Sequence, residues 1–321
     1  GANTTVTGLT AVGTSALATN TTGSSNVAVG YASLQANTTG SNNTASGYEA
    51  LKTNTTASWG TAVGTNALRA NTTGGANTAV GYNALTFNTT GSLNTAVGLS
   101  ALQANATGGN NTAVGYQSML ANTTGGDNVA SGYYSLKSNT TGAANAATGS
   151  YALTANTTGG ANVAVGVRTL FYSTTGGNNT ALGHNASFNN TTGANNTAVG
   201  YQTLHANTTV SGLTAIGFEA LYSNTTGTNN VATGYEALRG NTTGVNNSAF
   251  GYETLRANTT GIRNIAIGNT ALKYNTTGNN NVAIGHEALL GYGNPSSNTA
   301  IGYWALRSNT GSYNTAIGYL S

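Results

Sequence analysis

The stretch Asn77–Leu93, NTAVGYNALTFNTTGSL, is followed at once by Asn94-Thr95-Ala96-Val97-Gly98, which begins the same phrase again. With the glycine of AVG as position 0, the phrase recurs from Gly13 to Gly302 in steps of seventeen, and a last step of sixteen reaches Gly318. Nineteen copies with one late deletion leave no stretch for a second domain. A unit this short cannot bury an apolar face alone, but stacked units can. The pattern therefore predicts an all-β fold, a parallel β-solenoid of the β-roll or β-helix kind. It has about 19 coils of 17 residues and runs as a single rod-like array over residues 1–321. At a rise of roughly 4.8 Å per coil, such a rod is on the order of 90 Å long.

The columns differ in what they admit. Position −2 is Ala and position 0 is Gly in all nineteen copies. Alternate residues of a strand share a face, so that face packs closely against something. Position +4 is Leu in nearly every copy, with Met119 and Ser187 as exceptions, and +3 is only Ala, Ser or Thr. Position −1 is mostly Val or Ile but accepts Ser46 and Thr148, and +1 is mostly Tyr but accepts His184 and Asn269. Columns that tolerate polar residues are half exposed or face another chain. The remaining NTTGxxN is a turn signature. At Val6, Ala57 and Val210 the glycine of +10 is missing, and the later Asn is missing with it, at Leu9, Gly60 and Leu213. Loss and replacement together point to an alternative turn of equal length. Helical character in YEALR and NALRA makes a strand plus a short helical turn per coil the competing expectation.

Composition narrows the function. Only 5% of residues are charged, the net charge is +3, and there is no Cys. Without clustered Lys or Arg there is no nucleic-acid footprint. Without thiols there is neither a disulfide framework nor a thiolate metal site, and no apolar run is long enough to span a membrane. The chain opens inside one repeat and stops inside another, so we expect a segment of a longer protein. An apolar Val/Tyr stripe running along the coils is unusual on a soluble monomer. The expected partner is the chain itself, as a homotrimer or a filament.

The motif NTAVGYxALxxNTTGxxN, seen in Asn94–Asn110, resembles the repeat regions of bacterial and phage tail-fibre-type surface proteins. The NIAIGNTAL version, Asn264–Leu272, is more distantly similar to the head repeats of trimeric autotransporter adhesins. The resemblance implies an extracellular fibre or adhesin on a cell or virion surface, and it carries over no functional residues.

Sites must be sought among the exceptions. Five of the six acids sit at +2, and seven of the nine bases sit at +5. Glu219, Glu236 and Glu253 occupy consecutive coils, near the carboxylate separation of about 5–5.5 Å used by retaining glycosidases. A glycan-cleaving, tailspike-like enzyme is thus one alternative, although the chain is expected to have no catalytic residue, cofactor or metal. His184, His205 and His286 are not expected to cooperate within one chain; His184 and His286 lie six coils apart, on the order of 29 Å. The loop GYGNPSSN, Gly291–Asn298, holds the only Pro and is expected to be a variant turn. Sixteen copies carry an Asn-x-Thr sequon, at Asn3, Asn20, Asn37, Asn54, Asn71, Asn88, Asn105, Asn122, Asn139, Asn156, Asn190, Asn207, Asn224, Asn241, Asn258 and Asn275. They make a row of covalent glycans, on Asn or on Thr, a candidate modification. Recognition of host or surface glycans is a related expectation. Thr rows at one strand spacing raise a second alternative, binding to ice.

Overall fold

The computed structural model describes residues 6–321. The chain forms two compact units, Gly1–Ala161 and Asn162–Ser321. Each is a parallel β-solenoid with one three-residue strand per coil. The first unit holds β1 to β9, from Thr10–Val12 to Ala146–Thr148, and the second holds β10 to β19, from Val163–Val165 to Thr315–Ile317. Within each unit successive strands pair in identical register. Thr78, Ala79 and Val80 lie against Thr95, Ala96 and Val97 in the first, and Thr180 and Ala181 against Thr197 and Ala198 in the second.

Coil-to-coil bonding continues beyond the strands. The Leu34 N–H donates to the Ala50 carbonyl at 3.0 Å, and the Thr38 N–H to the Thr55 carbonyl at 2.9 Å. No helix occurs among the described residues, so the expectation of a helical turn in YEALR is overturned. Positions +2 and +4 instead take left-handed backbone angles, as in Glu49 (φ 55°) and Leu51 (φ 50°). The helix-forming side chains yield because bonding to the next coil satisfies the same N–H groups that a helix would.

That backbone explains a choice of residue that hydrophobicity leaves open. Leu at +4 is fully buried, for example Leu68, Leu102 and Leu238 at 0% exposure, yet neither Ile nor Val ever stands there. A left-handed φ crowds Cβ against the backbone, and branching at Cβ makes it worse. In a chain rich in Thr and Val, Thr270 is the only β-branched residue with positive φ among the described residues. Its hydroxyl is also buried without a partner.

Position 0 is Gly for two reasons. Gly81 has φ 136°, and a Cβ added there would lie 2.5 Å from the carbonyl oxygen of Gly98 in the next coil. Here backbone packs on backbone. Ala at −2 points inward and is buried, as in Ala79 and Ala96.

The core is also partly polar. Asn at +13 is buried. Its amide nitrogen reaches the +10 carbonyl of the next coil, as Asn77 to Gly91 at 2.8 Å. Its Oδ1 accepts the next coil's Asn N–H, as Asn77 from Asn94 at 2.9 Å. This accounts for the coupled turn variant. A Cβ on Gly193 would meet the Asn196 amide at 3.0 Å, so +10 and +13 share one interior corner. Where Val210 fills it, Leu213 replaces the Asn and both are buried. The displaced Gly212 takes the left-handed +12 position (φ 73°).

Two outcomes follow. Leu102→Ile should destabilise the first unit by about 1–2 kcal/mol more than Leu102→Met in denaturant melts, because both stay apolar and only Ile is β-branched. Gly193→Ala combined with Asn196→Gly should be less destabilised than the sum of the single changes in a double-mutant cycle, with coupling of about 0.5–3 kcal/mol.

Candidate functional site: the charged and asparagine columns

The acidic column is closed by its bases. Arg239 Nε donates to Glu219 Oε2 at 2.5 Å, Arg256 to Glu236, and Lys273 Nζ to Glu253 Oε2 at 2.6 Å. Each base belongs to the coil after its acid. Arg256 also lies 3.4 Å, and Arg239 3.9 Å, from the glutamate of its own coil. The result is an alternating chain of charge in which three carboxylates face three cations. The carboxylates hold the Arg256 guanidinium and the Lys273 ammonium even more firmly protonated than usual. The first unit repeats the device once, with Glu49 between Lys52 at 2.7 Å and Arg69 at 2.6 Å. Those two cations hold the Glu49 carboxyl below its ordinary range, the hydrogen bond from Lys52 contributing most.

A glycosidase pair needs one carboxyl kept protonated and another left free to attack. Here every carboxylate of the ladder already accepts from a cation. The arrangement relieves the repulsion of stacked acids and pins neighbouring coils together.

The histidines are likewise absorbed into stacking. His184 stacks on Tyr201, His205 sits between Phe188 and Tyr222, and His286 stacks on Tyr303, at centroid distances of 5.0–5.6 Å. Burial lowers the pKa of His205. Among the described residues no group of three His, Cys, Asp or Glu is placed to hold a metal.

The GYGNP loop is a variant turn that replaces what it removes. Asn294 Oδ1 accepts from the Thr276 N–H at 2.6 Å and from its hydroxyl at 2.7 Å. In other coils the +8 carbonyl fills that role. Tyr292, standing where Asn is usual, turns outward and stacks on Tyr274 at 4.1 Å. A shallow cleft of about 470 Å³ opens beside them, with Glu287 and Arg307 on its wall.

Among the described residues, the sequon asparagines from Asn37 to Asn275 leave no space for a sugar. Asn3 lies outside the described residues. Asn20 is half-buried, and those from Asn37 to Asn275 are buried. Asn88 Nδ2 donates to Asn71 Oδ1 at 2.8 Å and to the Gly91 carbonyl at 2.9 Å, which uses both amide hydrogens. Asn105, Asn122, Asn139 and Asn156 do the same in the first unit. Asn207, Asn241, Asn258 and Asn275 follow in the second. An N-linked sugar replaces one of those hydrogens and needs space outside the chain. In this packing the column from Asn37 to Asn275 is an internal amide ladder, and a sugar on any of those Asn would have to displace it. The sequence held a signal: +7 is almost as constant as the Ala of −2, whereas the outward columns +11 and +12 drift.

Two measurements check the charged column. Glu49 has a depressed folded-state pKa, so its ion pairs stabilise above the unfolded carboxyl pKa and are lost as pH falls through the lower folded value. The drop in melting temperature on acidification should be smaller in Glu49→Gln than in the wild type. Glu236→Gln leaves Arg256 short of its charged partner, so it should lower the melting temperature measurably while leaving any glycan-cleaving activity of the preparation unchanged. No protein-family model matches the chain, and no curated protein matches it.

Proposed function

We infer that the chain is a structural segment of an extracellular fibre or adhesin shaft, assembled from copies of itself. One observation carries this reading. In each unit the outward side of the strand column presents large apolar side chains coil after coil. Val80 and Tyr82 are 36% and 54% exposed in the first unit, and Ile267 and Tyr252 are 40% and 48% exposed in the second. The aromatic members stack on each other, as Tyr201, Phe218, Tyr235 and Tyr252 do at 5.0–5.2 Å. Stacking orders the rings and leaves their edges facing outward. A stripe of this kind is larger than soluble monomers usually expose. A flat column of Val and Tyr matches an identical column on a second copy, which makes a homotrimer or a filament the natural assembly.

The chemistry of the remaining surface favours the same role. Each acid of the ladder is neutralised by a neighbouring coil. With so few charges, the surface offers little to steer a substrate or bind nucleic acid. What repeats is stiffness, from hydrogen bonds in register at every strand. Such a module suits a spacer or shaft.

The test is assembly. Purified wild-type chain should sediment as an oligomer. Replacing Val80, Val97 and Val114 together by Lys should shift it towards the monomer with an unchanged far-ultraviolet circular dichroism spectrum. A wild-type chain that stays monomeric at every concentration would sink this reading.

A further inference from the structure

The turn contains one residue whose constancy the fold does not explain. In Asn-Thr-Thr-Gly the Asn is buried in its ladder, and the first Thr donates its hydroxyl to the carbonyl of the next coil. Thr38 bonds to Thr55 in this way at 3.0 Å, and Thr242 to Thr259 at 3.1 Å. The second Thr, at +9, is different. From Thr22 to Thr158 in the first unit and from Thr175 to Thr277 in the second it is exposed in every coil. Among the described residues, none of the sixteen hydroxyls of this column bonds to the protein.

Exposed side chains that the fold does not use are free to change, and elsewhere in this chain they have changed. Position +12, also outward, holds Ser25, Trp59, Leu93, Asp127 and Arg263. Position +11 ranges from Gly75 to Ile262. Even the structurally bonded first Thr is given up at Ala106. At +9, by contrast, Thr stands in every coil from Thr22 to Thr277; the departures are Asn294, in the variant turn, and the shortened last turn Asn309-Thr310-Gly311, which lacks one Thr. A preference for extended backbone would admit Val or Ile, and a turn preference would admit Ser or Asp. None of the four occurs there. The requirement is for the Thr side chain itself, and it comes from outside the fold.

We propose that Thr at +9 is the acceptor of an O-linked sugar, one per coil. The Oγ1 oxygen attacks the anomeric carbon of an activated sugar, a nucleotide- or lipid-phosphate-linked donor. The bond from that carbon to the phosphate oxygen breaks, and its electron pair leaves with the phosphate. The hydroxyl proton passes to a base of the transferase, a separate protein. The neighbours suit such an enzyme. Thr at +9 stands exposed beside no bulky neighbour in the NTTG motif, whose constancy supplies a local recognition sequence in almost every coil.

A neutral group fits the spacing better than phosphate, because dianions on adjacent coils would stand roughly 4.8 Å apart. A sugar row would also hydrate a surface with only 5% charged residues. Ice is the less favoured ligand, because a lattice needs a regular two-dimensional face. The columns on either side of +9 vary from Gly240 to Phe87 at +6 and from Ala76 to Trp59 at +12. Covalent modification needs only the single column.

The proposal rests on the extracellular fibre reading for access to a transferase, but its test is separate. Protein isolated from the cells that make it would be fragmented for mass spectrometry beside chain made in a host lacking glycosyltransferases. Expected are added monosaccharide masses on Thr at +9, lost on alkaline β-elimination, and none on the buried Asn. Thr124→Val in the native host should remove one acceptor without altering the melting temperature beyond the loss of that sugar. Native protein with unmodified Thr at +9, or with its sugar on Asn or on the first Thr, would overturn the proposal. Unmodified protein that shapes ice would overturn it in favour of the ice reading. Sedimentation of the unmodified recombinant chain judges the fibre reading independently, so the two failures are distinguishable.

Discussion

Backbone lying directly on backbone at the Gly column is the contact on which everything else is arranged. The Gly98 carbonyl occupies the space that a side chain on Gly81 would need. Once two coils meet this closely, their strands pair residue for residue, and each column becomes a ladder of like on like. Apolar ladders then fill the interior as Ala and Leu. Polar ladders can be buried because an Asn amide both donates and accepts, so each rung satisfies the next. At +2 each acid is met by a base of the following coil. The same constraint thus selects the core, the amide ladders and the paired charges.

Much of this was legible in the sequence, and the reasons for what was not are instructive. The coil length, the strand at NTAVG and the inward Ala and Leu all follow from columns that never vary. The looser Val and Tyr columns were expected to be half exposed or to face another chain, and in the single chain their side chains are half-buried to exposed. The side of the chain on which the Asn of NTTG points was not legible. Asn favours turns whether its amide faces solvent or the interior, so composition alone cannot orient it. The left-handed angles at +2 and +4 were hidden for another reason: Glu, Ala and Leu are strong helix formers, and YEALR carries no glycine to announce a reversed φ. The absence of Val and Ile at Leu51 and its equivalents was the available clue. For the charged column, spacing alone placed the glutamates of consecutive coils together. It did not say that Arg256 would reach back to Glu236 and close the ladder.

Constancy in this chain has three separable causes. Ala79 is constant because of space, and Gly81 because of backbone angle and close approach. Asn88 is constant because of hydrogen bonding. Each cause is visible in the structure as a contact. Thr90 shares their constancy but is exposed, and its hydroxyl meets nothing in the fold. A tandem array makes such a comparison possible within one molecule, since columns under the same history serve as controls for one another.

The left-handed positions also act on register. A slip of one residue between coils would carry Val or Ile into an angle they resist and place a Cβ where only Gly fits. Small slips are therefore blocked although neighbouring coils look alike. A shift by one whole coil meets no such barrier, because every ladder finds an equivalent partner. Loss or duplication of a complete seventeen-residue unit would leave the Gly, Ala and Leu ladders continuous through the coils that remain. Length is the one dimension that this architecture leaves open to recombination, so related chains would be expected to differ by whole coils before they differ in the coil itself.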